Sequence, residues 1–407
     1  MSTRVSKAAT DTTAGNGSGN VQAKRAATNL KDYGIMAALV VIILIFTGLT
    51  RGSLLEPNNV AALIKQNAYV MVLTIGMTMV IIGRHIDLSV GSVVAFVGAV
   101  VAISMKDLNL PWLLAVVVGL VVGLLIGCWQ GFWVAYVGIP AFIVTLGGML
   151  IFRGLAIIVL GGLTISSLPS GFVKIAGGSV PAFLGYAGNF DMVTVIIGLV
   201  AILLAVGTNW RARSRAAKAG NPVVSPTSFA IKNLMVIVGI GFITYLLALS
   251  AGGTPIVLVI IGFLVVVYTF VMNRTPFGRH VYAVGGNLKA AGLSGINTKR
   301  TDFLLFVNMG LLAALAGIIT TSRAGSAVAT AGNTYELDAI AAAFIGGTAV
   351  AGGVGKISGA IIGALVMGVL NMGLSILSVD PAWQQAIKGL VVILAVAADF
   401  VSSKRRG

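Results

Sequence analysis

The chain has 407 residues, of which 57% are hydrophobic and only 9% charged, with 53 glycines. A soluble domain of this size carries roughly a quarter of its residues as charges to cover its surface, so the composition excludes one and specifies an all-α, polytopic membrane protein. The net charge of +16 is read as orientation: Lys and Arg gather in the cytoplasmic loops of membrane proteins, whereas nucleic-acid binders cluster them on one face among aromatics.

Residues 1–32 are rich in Ser, Thr, Ala, Gly and Asn with scattered Lys and Arg, a composition that cannot build a core and reads as a disordered cytoplasmic tail. The run at 33–50 is longer than a signal-peptide core and is taken as the first span. Further apolar runs follow near 60–82, 88–105, 112–137, 141–160 and 192–208, and then near 234–250, 254–272, 302–321, 339–352, 357–377 and 383–400. That gives about twelve membrane segments in one transmembrane domain over 33–400. The stretch 339–352 is short and glycine-rich, so it is expected to be a short or broken helix. It must still cross if the basic tail at 401–407 is to lie on the same side as the amino terminus.

Counting charge supports both termini in the cytoplasm: the assigned inside segments hold about twenty of the 27 Lys and Arg, and the outside loops about four. Lys65, Arg153 and Lys388 fall within spans, each in the outer half of its segment. They either snorkel to the interface or line an outward-opening cavity, with Arg153 the deepest. Every acidic residue, Asp87, Glu336 and Asp338 included, is assigned to a loop or a segment end. Ion-coupled carriers place a carboxylate or histidine near the midplane, and on this assignment the chain has none.

"GRHIDLSVGS" at 83–92 reads as a cytoplasmic hinge. Arg84 and His85 close one span, Asp87 and Ser89 cap the next through hydrogen bonding and the helix dipole, and Gly91 and Ser92 permit close packing. The two histidines, His85 and His280, lie far apart and lack metal-site spacing, so neither a metal nor a catalytic residue is expected. Cys128, the single cysteine, is a small packing residue.

The inside loop 273–300 is more structured. Pro276 with Gly278 marks a turn and Gly285–Gly286 another. Asn287 then caps a short helix over 288–294, which Gly295 ends in a left-handed residue. So short a helix needs a surface to lie against, its own protein or a partner. "GGVGKIS" at 352–358 fails as a phosphate loop, having Val350 where glycine is required and Ile357 where Ser or Thr is required. It reads as a glycine-rich turn between close spans. The junctions 80–92 and 343–359 also form a weak parallel repeat that places Asp87–Ser92 and Gly352–Gly359 in equivalent positions at the inner end of a pathway.

"KAAGLSG" at 289–295 is similar to the Glu-Ala-Ala-x-x-x-Gly loop of ABC importer permeases, with Lys289 where that pattern has glutamate. With "GRHIDLSVGS", "FGRHVYAVGGNLKAAGLSGI", "ELDAIAAAFIGGTAVAGGVG" and "KGLVVILAVAAD", nearly everything after the tail resembles the permease subunits of ribose- and xylose-type sugar ABC importers. The extra spans at 234–272 resemble the xylose branch. The resemblance implies a transport subunit, not an enzyme, in a bacterial inner membrane. It implies a second permease copy, cytoplasmic ATPase subunits that carry the ATP, and a periplasmic binding protein delivering a monosaccharide, with lipid around the spans and no cofactor on this chain.

The residues expected to couple to the ATPase are Asn287, Leu288, Lys289, Ala290, Ala291, Leu293, Ser294 and Gly295. Those expected at the translocation pathway or its gate are Asp87, Ser89, Arg153, Asn308, Asn333, Glu336 and Asn371, although caps and helix-to-helix hydrogen bonds also account for such groups. An ion-coupled secondary sugar carrier is the alternative reading.

Overall fold

The apolar runs become helices because lipid leaves the backbone no partner but itself. The computed structural model describes residues 34–220, 223 and 225–404, so the tail expected at 1–32 lies outside the described residues. Helix α1 is Gly34–Leu49. It is followed by α2 (Pro57–Ile82), α3 (Val90–Lys106), α4 (Trp112–Phe132, continued by a π turn at Trp133–Val137), α5 (Ala141–Leu160) and a short α6 (Ser170–Gly177). A two-residue hairpin of β1 (Tyr186–Ala187) and β2 (Phe190–Asp191) precedes α7 (Met192–Lys218), α8 (Pro226–Leu249) and α9 (Ile256–Arg274). Then come α10 (Pro276–Gly286), α11 (Leu288–Leu293), α12 (Thr298–Ala324), α13 (Tyr335–Ile345), α14 (Ile357–Ile376) and α15 (Pro381–Lys404). Eight of these are long and apolar enough to cross a membrane by length and composition.

Helix α12 is the centre of the bundle and packs on α2, α3 and α4. Against α4 it runs antiparallel on a ladder of small residues: Gly123 meets Gly310 and Ala314, Gly127 meets Phe306 and Val307, and Gly131 meets Phe303. Small residues let two backbones approach where lipid supplies no hydrophobic drive to association. Helices α7 and α8 form a peripheral hairpin whose side chains are mostly exposed, as lipid-facing helices are. Helix α7 continues ten residues past the expected end at 208, carrying Arg211, Arg213, Arg215 and Lys218 out of the apolar zone. The helices alternate in direction, so one end of the bundle, the basic end, gathers α10, α11 and these cations.

Three local expectations change. Pro276 does not make a turn: it occupies the first turn of α10, where a missing N–H costs nothing, and the Thr275 hydroxyl accepts from Gly278 N at 3.3 Å. Helix α6, within a stretch read as loop, is held by Ser322, whose hydroxyl donates to Phe172 O at 2.7 Å and accepts from Ala176 N at 3.0 Å. The short segment expected at 339–352 is helical only over Tyr335–Ile345, and a glycine-rich turn fills 346–356.

Candidate functional site

Two spans are broken, and their broken ends meet. Gly83 lies against Leu305 while Val94 lies against Gly317, twelve residues further along α12, so the chain climbs about 18 Å between them at 1.5 Å per residue. Helix α3 therefore starts deep in the bundle, after a non-helical 83–89. Helix α13 also starts deep: the Tyr335 ring stacks on Tyr69 with centroids 3.5 Å apart, and Tyr69 is midway along α2. A non-helical stretch leads down to it from the end opposite the basic one, where Ala327 bridges to Ile165. The two starts cross at Gly91 and Gly332, whose backbones touch so closely that a Cβ on either would overlap the other's carbonyl. Gly332 has φ 72, the left-handed region open to glycine.

Asp87 and Ser89 are buried beside this crossing, not at a cytoplasmic boundary. The expected cap also differs. Asp87 Oδ1 accepts from Ser89 N at 2.8 Å and from the Ser89 hydroxyl at 2.6 Å, while Ser89, the N-cap residue, makes no side-chain bond to α3. The Ser89 hydroxyl in turn accepts from Gln130 Nε2 at 2.6 Å, which ties the start of α3 to α4. Ser92, in the first turn of α3, is fully buried, and its hydroxyl has no partner among the described residues.

Arg153 spans from α5 to the stretch before α13, donating through Nη1 to Ala329 O at 2.6 Å and Ala331 O at 2.7 Å. Lys65 donates to Gly177 O at 2.9 Å and Ser179 Oγ at 3.2 Å. Lys388 Nζ is 3.0 Å from Asp338 Oδ1. All three in-span cations are thus engaged by protein, and snorkelling is not their role.

Placing every acidic residue at a segment end is likewise corrected. Asp338 is 3% exposed, pairs with Lys388 and accepts from Tyr69 Oη at 2.9 Å, and Glu336 in the same first turn attracts Arg153. A buried charge requires such partners. Sequence reading missed Tyr69, Gln130 and Tyr335, and set Asp338 aside. The signal for α13 was the acidic pair in "YELD", which suits the first turn of a helix.

Of the other expected pathway residues, Asn308 Oδ1 accepts from Tyr268 Oη at 2.6 Å, and Asn371 Nδ2 donates to Asn67 Oδ1 at 2.9 Å. Both serve as helix-to-helix ties. Asn333 is exposed, and its side chain makes no hydrogen bond among the described residues.

The basic end carries the second candidate site. Asn287 Oδ1 accepts from Ala290 N at 3.0 Å, the N-cap expected for α11, and Gly295 has φ 82. Ser294 Oγ bonds back to Ala290 O at 2.9 Å. Ala291 is buried against the protein, whereas Lys289 and Ala290 are exposed, Leu288 is 46% exposed and Leu293 91%.

Just before this helix, three backbones interlock. Gly353 N donates to Ile82 O at 2.9 Å, a Cβ on Gly285 would overlap that same carbonyl, and Gly353 lies against Gly286. Tyr282 Oη donates to Gly355 O at 2.8 Å, and burial raises its phenol, which keeps the donor proton in place. The junctions 80–92 and 343–359 therefore touch. Their proposed equivalence fails in depth, since α14 starts level with Ile82 and α3 starts far beyond it.

Beside this junction, a cavity of about 370 Å³ opens between Arg84, His85 and Ile86 on one side and Val134 and Gly138–Phe142 on the other. His85 is held 3.2 Å from Asp302 at the foot of α12. Among the described residues no cluster of His, Cys, Asp and Glu is arranged to hold a metal ion.

The family model described as "Branched-chain amino acid transport system / permease component" matches residues 59–396. The xylose transport system permease protein of Escherichia coli (strain K12) is 42% identical over 380 residues, covering 93% of each chain. The corresponding xylose permease of Haemophilus influenzae (strain ATCC 51907 / DSM 11121 / KW20 / Rd) is 38% identical, covering 94% of this chain and 99% of that one. The ribose import permease protein of Escherichia coli (strain K12) is 34% identical, covering 91% and 94%. No solved structure matches the chain.

Proposed function

The chain belongs to the branched-chain amino acid transport system / permease component family, and from that membership we propose that it is the membrane-spanning subunit of an ATP-driven importer for xylose or a related monosaccharide. The relatives named for xylose and ribose transport support the cargo class, and none of them supports the ion-coupled alternative. Of the carboxylates at this depth, Asp338 is neutralised by Lys388, Glu336 faces Arg153 and Asp87 accepts from Ser89, so each already has a protein partner.

The observation that carries the reading is α11. This capped helix at the basic end exposes Leu288 and Leu293 together with Lys289 and Ala290 while only Ala291 is buried, and so short a helix gains stability from a partner lying over that face. In this reading the partner is a cytoplasmic ATPase subunit, with ATP held and hydrolysed there and no catalytic residue or cofactor on this chain. Lys289, in place of the glutamate of the resembling motif, reverses the charge offered to that partner.

The Gly285–Ile82–Gly353 contact gives α11 a route inward. Ile82 leads to Asp87, Ser89 and α3, and Gly353 leads back to α13. Nucleotide-driven motion of α11 would thus shift both broken spans, provided the two states make different contacts. A second permease copy completes the passage, a periplasmic binding protein delivers the sugar, and the assembly lies in a bacterial inner membrane.

The test is reconstitution of the chain in proteoliposomes with its ATPase subunit and binding protein. Xylose or ribose uptake is expected only with internal ATP, and Leu293→Glu is expected to abolish ATPase capture and uptake together. Uptake driven by an imposed proton or sodium gradient without the ATPase would overturn the reading.

A further inference from the structure

Beside the Gly91–Gly332 crossing, Glu336 in the first turn of α13 lies against Gly91, while Asn333, just before the helix, and Leu337 are exposed. Arg153 reaches the same region from α5 through the Ala329 and Ala331 carbonyls, and it attracts Glu336. The patch lies at the depth of Tyr69, the midpoint of α2. Asn333 is exposed there with no bond to its amide, and neither Arg153 nor Glu336 is fully buried. Hydrocarbon tails offer no partner to an exposed amide or to a charge, so this face does not meet lipid.

We propose that Arg153, Asn333 and Glu336 form a transient binding site for a neutral polyhydroxylated solute in an aqueous passage at the middle of the membrane. The proposal rests on the sugar-importer reading and specifies where that cargo touches this chain. The chemistry matches the cargo: Arg153 and Glu336 balance in charge, which favours neither an anion nor a cation. The guanidinium and the Asn333 amide donate, while the Asn333 carbonyl and the Glu336 carboxylate accept, the alternation that adjacent sugar hydroxyls require. The unpartnered Ser92 hydroxyl, buried next to Gly91, adds polarity at the same crossing. The contacts are few, as passage demands a site that releases what it binds.

The experiment places one cysteine in a Cys128→Ser chain, assembled with its ATPase and binding protein in vesicles, and measures its reaction with a water-soluble thiol reagent. Asn333→Cys is expected to react about tenfold faster than Val266→Cys on the exposed face of α9, since a buried hydrocarbon face admits no aqueous reagent. Saturating D-xylose is expected to slow the Asn333→Cys reaction, and Asn333→Ala is expected to raise the KM for xylose uptake with protein level unchanged. Reaction as slow as at Val266→Cys, which marks lipid or a dry contact with a second copy, overturns the proposal. So does fast reaction indifferent to xylose in a complex that transports it. If the cysteine-free complex takes up no sugar at all, the importer reading falls and this site falls with it.

Discussion

The Asp338–Lys388 pair is the most informative place to perturb the fold, because it joins α13 to α15 at mid-depth. The side chains are 5% and 17% exposed, with Nζ 3.0 Å from Oδ1, and Tyr69 Oη occupies Asp338 Oδ2 at 2.9 Å. Lys388→Met leaves the carboxylate with one neutral donor and with Glu336 nearby as a like charge. Removing one partner of a buried pair costs about 3–5 kcal/mol. Asp338→Asn strands the ammonium instead, with a similar cost. The double variant strands neither charge, and its amide oxygen still accepts from Tyr69. Replacing both members of such a pair is often close to neutral, so the double variant is expected to be more stable than either single one, with a coupling energy of about 2 kcal/mol or more. Unfolding midpoints of the purified chain in a fixed detergent read all three. Additive losses, with the double variant as unstable as the two singles summed, would refute the pairing.

Gly285→Ala inserts a methyl group against the Ile82 carbonyl and Gly353 N, an overpacking that costs about 1–3 kcal/mol where the neighbours are backbone. Because the Asn287 cap and exposed α11 are untouched, ATPase capture is expected to persist while transport per ATP hydrolysed falls. A simultaneous assay of uptake and phosphate release checks this, and unchanged uptake counts against the junction. Asp87→Asn keeps an acceptor for Ser89 N and is expected to express and melt like the parent. Asp87→Ala leaves that buried N–H unpaired at about 1–3 kcal/mol, which a lowered melting midpoint would reveal. Tyr282→Phe removes the donor to Gly355 O and is expected to reduce coupling in the same assay as Gly285→Ala, by less.

Much of the helical frame was legible in the sequence, because lipid demands long apolar runs and those runs announce themselves. Residues 141–160 read as a span, and α5 has those bounds. The Asn287 cap and the left-handed Gly295 were equally readable, being local chemistry. Where charge entered a helix, reading stopped too soon. The apolar pattern ends α7 at 208, although Arg and Lys are good helix formers, and it leaves the start of α13 outside its run because Glu336 and Asp338 sit there. The partners that make Asp338 tolerable lie 50 and 269 positions away, and no local pattern announces a contact at that range. Pro276 was misread for a different reason. A proline after a threonine marks the first turn of a helix as readily as a turn, and the residues on its carboxyl side decide between them.

The depth of the two broken starts changes what the polar residues mean. Had α3 and α13 begun at the membrane surface, Asp87, Glu336 and Arg153 would be caps and orientation signals, and movement at the basic end would reach them only through whole helices. Because both helices begin deep, their first residues meet at the crossing itself, inside the bundle formed with α2 and α12. The same Gly91–Gly332 contact that permits their crossing also forbids a side chain from filling it. Ile82 then ties the approach to α3, and Gly353 the segment beyond the far end of α13, to the residues just ahead of α11. A push at α11 would enter through this backbone contact and reach one side of the crossing along residues 83–90 and the other along α13 itself. Side-chain contacts along such a route would absorb movement by changing rotamer, whereas backbone in contact with backbone has little freedom to do so. Glycine at these junctions is therefore a mechanical requirement as well as a steric one, and substitutions there are expected to separate ATP hydrolysis from transport more cleanly than substitutions in the polar patch.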